Sequence, residues 1–171
     1  MSNKSLARTL FSFPNPVNEH SARMVAVGAV CLGLTYIITG NIWILALLTY
    51  GFWARALTGP TLSPLGQVVT RVLSPLLAKK FKPKFCSGPP KRFAQSIGAF
   101  FTTSALFTYV LGDSVLVSKY FISVLLFAAS CEAFFGFCFG CAIFGYLMKW
   151  GIIPEEVCEK CQNYKVSDLS I

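Results

Sequence analysis

Long stretches without a single charged residue constrain this chain more than any other feature. No charge occurs between Arg23 and Arg55, and none occurs from Phe93 to Gly112. The chain has 171 residues, of which 54% are hydrophobic and only 13% charged, whereas a soluble domain carries about 25% charged residues. A chain this short cannot bury so much apolar surface in one aqueous core. The sequence therefore predicts an all-α, polytopic membrane protein that is largely covered by lipid.

Breaks in the apolar sequence divide it into four predicted spans. Gly40-Asn41 separates the first span from the second, and Gly112-Asp113 separates the third from the fourth. A spanning helix needs about 17–25 residues. We therefore place the four transmembrane helices, with their connections excluded, at about 22–39, 42–57, 93–111 and 115–135.

The last apolar stretch is too long for one simple span. It runs from about Val115 to Trp150, so it must tilt, extend into water or break. We expect a separate, cysteine-containing segment at the membrane interface over about 136–150. The predicted organisation is a four-helix transmembrane domain over 1–150 followed by a cytoplasmic tail over 151–171.

A different kind of sequence connects the second and third spans. Ser63-Pro64 and Ser74-Pro75 each place a capping residue before a proline that suits the first helical turn. Leucines and valines recur between 62 and 77 at helical spacing, and the basic residues lie off that stripe. This pattern predicts amphipathic interfacial helices at about 63–82, lying in the membrane surface.

The basic residues indicate an orientation in the membrane. The formal net charge is +8, and most Lys and Arg residues lie in the 55–92 segment and the two tails. By the positive-inside rule, both termini and the middle segment face the cytoplasm. Anionic lipid headgroups are then the predicted partners of the basic excess. Nucleic acid is not a predicted partner, because no DNA- or RNA-binding motif accompanies the charge.

Two Cys-x-x-Cys pairs are the strongest candidates for chemistry. Cys138 and Cys141 form the first pair, and Cys158 and Cys161 form the second. A single pair can form a reversible disulfide, and the spacing of all four matches a zinc site. The first pair lies among phenylalanines, so a four-sulfur site requires the tail to fold back to the membrane. Redox or sulfur chemistry, metal binding and simple packing of small apolar side chains are all open.

Glu132 is the most informative single residue, because a carboxylate within an apolar stretch is costly unless it is paired. Its predicted partner is Arg55, with Arg92 and Arg23 as alternatives. In one interpretation Glu132 accepts a proton and helps to form a thiolate in the first cysteine pair. In the other it belongs to a buried ion pair that fixes the register of the helices.

Several short motifs carry a resemblance to a known family. They are Asn18 to Arg23, Phe52-Trp53-Ala54-Arg55-Ala56, Gly59-Pro60 with Ser63-Pro64-Leu65, Pro89-Pro90-Lys91-Arg92-Phe93-Ala94, and Glu132-Ala133 followed by Phe135-Gly136-Phe137-Cys138-Phe139-Gly140-Cys141. Over about residues 15–146 the sequence resembles a bacterial four-helix membrane family described only as a domain of unknown function. The resemblance implies a family pattern made of six residues, Arg23, Arg55, Arg92, Glu132, Cys138 and Cys141. The chain departs from the family at Phe144, where Tyr is frequent, and in its second cysteine pair, which lies outside the shared region.

Three functions follow from these features, and no cofactor is identified. The first is a thiol/disulfide or sulfur-handling protein of the bacterial cytoplasmic membrane, with a redox or sulfur-carrier protein as partner. Its predicted catalytic residues are Cys138, Cys141 and Glu132. An anionic sulfur species or a quinone-derived charge would be bound by three arginines, Arg55, Arg92 and Arg23. The second function is a non-enzymatic scaffold or small transporter subunit. The third is metal binding by four cysteines, Cys138, Cys141, Cys158 and Cys161.

Overall fold

Four long helices form a bundle, and two shorter helices pack beside it. The computed structural model describes residues 17–73, 85–86, 88–112 and 114–152. In chain order the helices are α1 (Glu19–Thr39), α2 (Ile42–Thr58), α3 (Pro64–Val68), α4 (Gly88–Val110), α5 (Val115–Ser130) and α6 (Phe139–Lys149). Two of them continue directly into a π-helical turn, α3 into Val69–Leu73 and α5 into Cys131–Phe135. Each of the four predicted spans therefore coincides with a helix.

A short antiparallel pairing joins the beginnings of α1 and α4. The strand β1 (Val17–Asn18) pairs with β2 (Phe85–Cys86). Because α1 follows β1 directly and α4 begins soon after β2, the pairing holds the first turns of these helices at the same end of the bundle. The chain is otherwise all-α in its described part, as predicted, and this pairing was not predicted.

The connection between α1 and α2 is a tight turn, as the Gly40-Asn41 break predicted. Gly40 has a φ of 65°, a left-handed conformation that glycine adopts readily, and its N–H donates to the Tyr36 carbonyl at 2.7 Å. Asn41 Oδ1 then accepts a hydrogen bond from the Trp43 N–H at 2.9 Å and begins α2. The two helices are thus antiparallel neighbours.

Each long helix packs against two others. Both α1 and α4 contact α2 on one side and α5 on the other. The Tyr36 and Ser118 hydroxyls lie 2.6 Å apart in the core between α1 and α5. Between α2 and α4, Trp53 Nε1 donates to Thr103 Oγ1 at 2.9 Å. The buried Tyr36 and Ser118 hydroxyls therefore satisfy each other, as buried polar groups require, whereas the Trp53–Thr103 hydrogen bond lies at the exposed surface.

The outward surface of the bundle is strongly apolar. Trp43 is 79% exposed, Leu116 is 82% exposed and Phe100 is 66% exposed. Two helices, Glu19–Thr39 and Val115–Phe135, are long and apolar enough to cross a membrane. The helix α2 is apolar but has only 17 residues, and α4 carries several amide and hydroxyl side chains. That all four helices cross a membrane stays a prediction.

The helix α3 packs along the bundle. A Cβ at Gly28 of α1 would lie 2.4 Å from Leu65 Cδ1, so the two helices approach closely at this glycine. Val69 is 1% exposed, whereas Val68 is 53% exposed. Part of the apolar stripe that predicted interfacial helices at 63–82 therefore faces the bundle. Residues 74–84 lie outside the described part of the chain.

The last apolar stretch breaks after Phe135, as its excess length predicted. Gly136 adopts a φ of 70°, and its N–H donates to the Glu132 carbonyl at 3.1 Å. The chain then turns and begins α6 at Phe139. The predicted tail is described only as far as residue 152.

Candidate functional site

The first cysteine pair lies at the N-terminus of α6. Cys138 is the residue before the first helical position, and its carbonyl accepts the Ala142 N–H at 3.0 Å. Cys141 lies in the first turn, and both side chains are half-buried free thiols. A helix N-terminus carries a partial positive charge, which stabilises a thiolate. Both thiols therefore lie at the positive end of the α6 dipole.

Close packing fixes α6 against α4. A Cβ on Gly140 would lie 2.5 Å from the Ala94 Cβ, so only glycine permits this approach. The rings of Phe93 and Phe144 pack 5.7 Å apart at the same contact. The thiols are thereby held beside the first turn of α4, which carries Lys91.

Lys91 is the partner of Glu132. Its ammonium donates to Glu132 Oε1, and the two side chains are only 10% and 13% exposed. Burial lowers the pKa of Lys91, but the Glu132 carboxylate more than offsets this and raises the pKa above its ordinary value. The prediction that Glu132 pairs with Arg55 was wrong. Lys91 in the first turn of α4 binds Glu132 directly, whereas Arg55 in the last turn of α2 has other acceptors.

Arg55 is surrounded by neutral groups. It is 5% exposed, its Nε donates to Gln95 Oε1 at 2.8 Å and its Nη1 donates to Ser63 Oγ at 3.1 Å. The guanidinium carbon lies 4.6 Å from the centroid of the Phe52 ring. Among the described residues, none of these direct partners is a carboxylate. Glu132 acts on Arg55 only through space.

A cavity of about 90 Å³ lies between α1, α2, α4, α5 and α6 at this end of the bundle. Small side chains make room for it, among them Ala26, Ala29, Ala94, Gly98, Ala128 and Ala129. Its polar lining consists of four side chains, Arg55, Gln95, Glu132 and Cys138. Three of the six predicted site residues therefore meet at one cavity, and the fourth, Cys141, reaches it through its contact with Cys138.

The other two predicted arginines bind backbone carbonyls and do not line this cavity. Arg92 Nε donates to the Ala56 carbonyl at 2.9 Å, near the end of α2. Arg23 Nη2 donates to the Phe134 carbonyl at 2.9 Å, near the end of the π-helical turn. Each arginine thus donates a hydrogen bond to a carbonyl in the last turn of a helix, where carbonyls lack partners within the helix. Their predicted role in ligand binding stays a prediction.

The two thiols differ in acidity. The pKa of Cys138 is lowered to about 7, chiefly because the Cys141 thiol donates a hydrogen bond to its thiolate. Burial and the Glu132 carboxylate oppose this shift, whereas the Lys91 ammonium and the Cys141 backbone N–H support it. The pKa of Cys141 is raised, because this hydrogen bond holds its proton and burial disfavours a second negative charge. The pair therefore loses one proton near neutral pH and keeps the other.

The second cysteine pair lies outside the described residues. The proposed four-sulfur site of Cys138, Cys141, Cys158 and Cys161 therefore stays a prediction. Within the part of the chain that the structure describes, no group of three or more His, Cys, Asp or Glu side chains could hold a metal ion. Cys31 and Cys131 are free thiols there.

Lys91 and Gln95 are site residues that the sequence patterns had not indicated. Both project from the first two turns of α4, four residues apart, and so share a helix face. Lys91 also precedes the buried Gly98 and Ala99 by two helical turns. A lysine that shares a helix face with small buried residues is expected to point into the bundle, so this spacing could have indicated Lys91.

Comparisons with known proteins identify a family but assign it no activity. No curated protein and no solved structure matches the sequence. The sequence model of a family described as "Domain of unknown function (DUF4395)" matches residues 17–149, which include every strand and helix from β1 to α6. This chain therefore belongs to the DUF4395 family, a domain of unknown function.

Proposed function

We propose that this chain is a multi-pass protein of the bacterial cytoplasmic membrane whose first cysteine pair is a redox-active dithiol at the cytoplasmic end of the bundle. The membrane assignment is supported by the apolar outward surface and by the long uncharged segments of the helices. The cations Arg23, Arg55, Lys91 and Arg92 cluster at the end that carries the thiols, whereas Lys119 lies near Gly40 at the other end. This distribution favours the orientation predicted by the positive-inside rule.

One observation carries the proposal for the thiols. Cys138 lies at the N-terminus of α6 with Cys141 one turn further on, beside the Lys91–Glu132 ion pair. In this environment one thiol is acidic and the other retains its proton. A dithiol reductant needs this asymmetry, because one sulfur attacks first and the second resolves the product.

The proposed substrate is a disulfide on a partner redox protein. The Cys138 thiolate attacks one sulfur of that disulfide, the partner S–S bond breaks, and the partner's second sulfur leaves as a thiolate that takes up a proton. Cys141 then loses its proton and attacks Cys138 Sγ. This step forms the Cys138–Cys141 disulfide and releases the partner's first sulfur, which is also protonated. Two electrons and two protons have then passed from the dithiol to the partner.

The ion pair has a distinct proposed role in each step. The Lys91 ammonium stabilises the attacking thiolate, since its charge lowers the pKa of both cysteines. Glu132 lines the same cavity as Cys138 and is the proposed acceptor for the proton that Cys141 releases. The two thiols of unequal acidity therefore provide the nucleophile and the resolving thiol, and Glu132 is the proposed proton acceptor.

A redox titration of the purified full-length protein in detergent tests the proposal. The protein is equilibrated in mixtures of reduced and oxidised dithiothreitol, quenched with acid, alkylated and analysed by peptide mass spectrometry. We expect a two-electron transition to the Cys138–Cys141 disulfide, with Cys31 and Cys131 still reduced. The variant Cys131→Ser is the matched control and should titrate like the unsubstituted protein. The dithiol assignment would be wrong if both thiols stayed reduced at every ratio of reduced to oxidised dithiothreitol. It would also be wrong if Cys138 formed a disulfide with a cysteine other than Cys141.

A further inference from the structure

Arg55 is a buried cation whose direct hydrogen-bond partners among the described residues are neutral. Lys91 and Arg55 are cations, and the only described carboxylate acting on both is Glu132. Lys91 holds Glu132 in a direct ion pair, so Arg55 is left with the neutral acceptors Gln95 and Ser63. A buried cation without a directly bound anion is costly. The burial of Arg55 among neutral partners therefore favours a bound anion beside it.

Arg55 has donors available for such an anion. A guanidinium carries five N–H groups, and among the described side chains Gln95 and Ser63 accept two of them. Arg55 lines the cavity of about 90 Å³ together with its acceptor Gln95 and with Cys138. One water needs about 10–15 Å³ of such space. The cavity therefore accommodates an anion of a few heavy atoms and excludes a sugar or a nucleotide.

We infer that this cavity is a binding site for a small monoanion with oxygen or sulfur acceptor atoms, held by Arg55 beside Cys138. The planar guanidinium fork suits a carboxylate-sized or smaller anion. Gln95 and Ser63 hold the guanidinium in place, and the volume of about 90 Å³ limits the size of the ligand. This site goes beyond the proposed dithiol chemistry and exists whether or not a disulfide forms.

Competition between the anion and the thiolate follows from their shared cavity. A bound anion places a negative charge beside Cys138, so ionisation of the Cys138 thiol is less favourable. Bound anion should therefore raise the pKa of Cys138 and slow its reaction with alkylating reagents. An anion that is too large for the cavity should have neither effect.

The test uses formate as the probe and gluconate, at equal ionic strength, as the size control. The full-length protein in detergent is alkylated with neutral iodoacetamide at about pH 7, and the rate at Cys138 is followed by mass spectrometry. A rise of one unit in the pKa of Cys138 lowers the thiolate fraction at neutral pH about fivefold, and we expect a slowing of that order with formate only. Formate should also raise the melting temperature, because it binds the folded state alone.

Two variants separate binding at Arg55 from a general salt effect. Gln95→Glu places a carboxylate of nearly the same shape against Arg55 Nε, so a side chain of the protein neutralises the guanidinium. Arg55→Gln removes the charge. Both should abolish the response to formate, whereas the matched control Lys149→Gln, which removes a positive charge in the last turn of α6 outside the cavity lining, should retain it.

The unsubstituted protein decides the outcome even if the variants do not fold. Equal effects of formate and gluconate on both the alkylation rate and the melting temperature would overturn the anion site. A formate response that survives in folded Arg55→Gln protein would also overturn it. If Cys138 does not react at all, the melting temperature still reports the anion, so failure of the dithiol proposal is distinguishable from failure of this one.

Discussion

The Lys91 ammonium binds the Glu132 carboxylate and so joins the first turn of α4 to the turn that ends α5, beside both thiols. Both side chains are largely shielded from water, so each charge depends on the other for compensation. The same two charges act on Cys138 with opposite sign. The ion pair therefore couples the stability of the bundle to the acidity of the thiol.

Replacing the two members of this pair should move the pKa of Cys138 in opposite directions. Lys91→Met removes a positive charge that favours the thiolate, so the pKa of Cys138 rises above about 7. Glu132→Gln removes a negative charge that opposes the thiolate, so the pKa falls. The pH dependence of iodoacetamide labelling at Cys138 measures both shifts. Shifts of the same sign in the two variants would contradict the proposed arrangement of charges.

Removing one member of the ion pair should cost more stability than removing both. Lys91→Met leaves a carboxylate unpaired in the bundle and should lower the free energy of unfolding by about 3 kcal/mol. The double variant Lys91→Met, Glu132→Gln removes both charges and should recover part of that loss. Thermal unfolding in detergent provides the comparison, with Lys149→Met as a control at the far end of α6. A double variant less stable than the sum of the single variants would be inconsistent with a direct pair.

Removing Cys141 should make Cys138 less acidic. The Cys141 thiol is the largest contributor to the low pKa of Cys138, so in Cys141→Ala the labelling midpoint of Cys138 should rise from about 7 toward the ordinary thiol value. In the unsubstituted protein Cys138 should react before Cys141, whose proton is held. Peptide mass spectrometry after alkylation between about pH 5 and about pH 9 measures this order. Earlier labelling of Cys141 would reverse the assignment of nucleophile and resolving thiol.

Two glycines near the cysteine pair should respond differently to alanine. Gly136 has a φ of 70°, where a side chain is strained, so Gly136→Ala should cost about 1 kcal/mol of stability. Gly145 lies within α6 with nothing within 4 Å of an added Cβ, so Gly145→Ala should be neutral or stabilise the protein by up to about 1 kcal/mol. Melting temperatures of the two variants give the comparison. Equal effects would mean that the turn at Gly136 is not the constraint that positions α6.

The proposed topology predicts that a reagent outside the cell reaches only the end of the bundle opposite the thiols. Leu111 is 68% exposed at the α4–α5 connection, and Leu62 is 45% exposed before α3. In intact cells a membrane-impermeant maleimide should label Leu111→Cys. Leu62→Cys should label only after the membrane is made permeable. The unsubstituted protein is the control, because its native cysteines are expected in lipid or on the cytoplasmic side. External labelling of Leu62→Cys alone would invert the orientation.

Helix boundaries were predictable because they depend on local chemistry. Gly40 adopts a left-handed conformation that other residues disfavour, and Asn41 caps the next helix, so the turn between α1 and α2 is encoded in two adjacent residues. Gly136 marks the end of the α5 segment for the same reason. The pairing of β1 with β2 was not predictable in this way, because two-residue strands far apart in sequence carry no periodicity.

The sequence predicted some members of the candidate site, but it did not predict Lys91, Gln95 or the pairs that the charged residues form. Spacing alone brought Cys138 and Cys141 onto one helical turn, and apolar context alone marked Glu132 as a residue that needs a partner. The choice of Lys91 over Arg55 depends on which helix ends meet in space. Arg55 instead donates hydrogen bonds to Gln95 and Ser63, which are distant from each other in sequence.

The sequence by itself determined the helical bundle, its breaks and the thiol motif, because charge-free stretches, glycine turns and a three-residue spacing act over a few residues. Only the tertiary structure decided that Lys91 neutralises Glu132 and that Arg55 lines a small cavity with Cys138. The physical reason is that the energy of a charge depends on its distance from other charges and on its exclusion from water. Both quantities are set by how helices that are distant in sequence pack together.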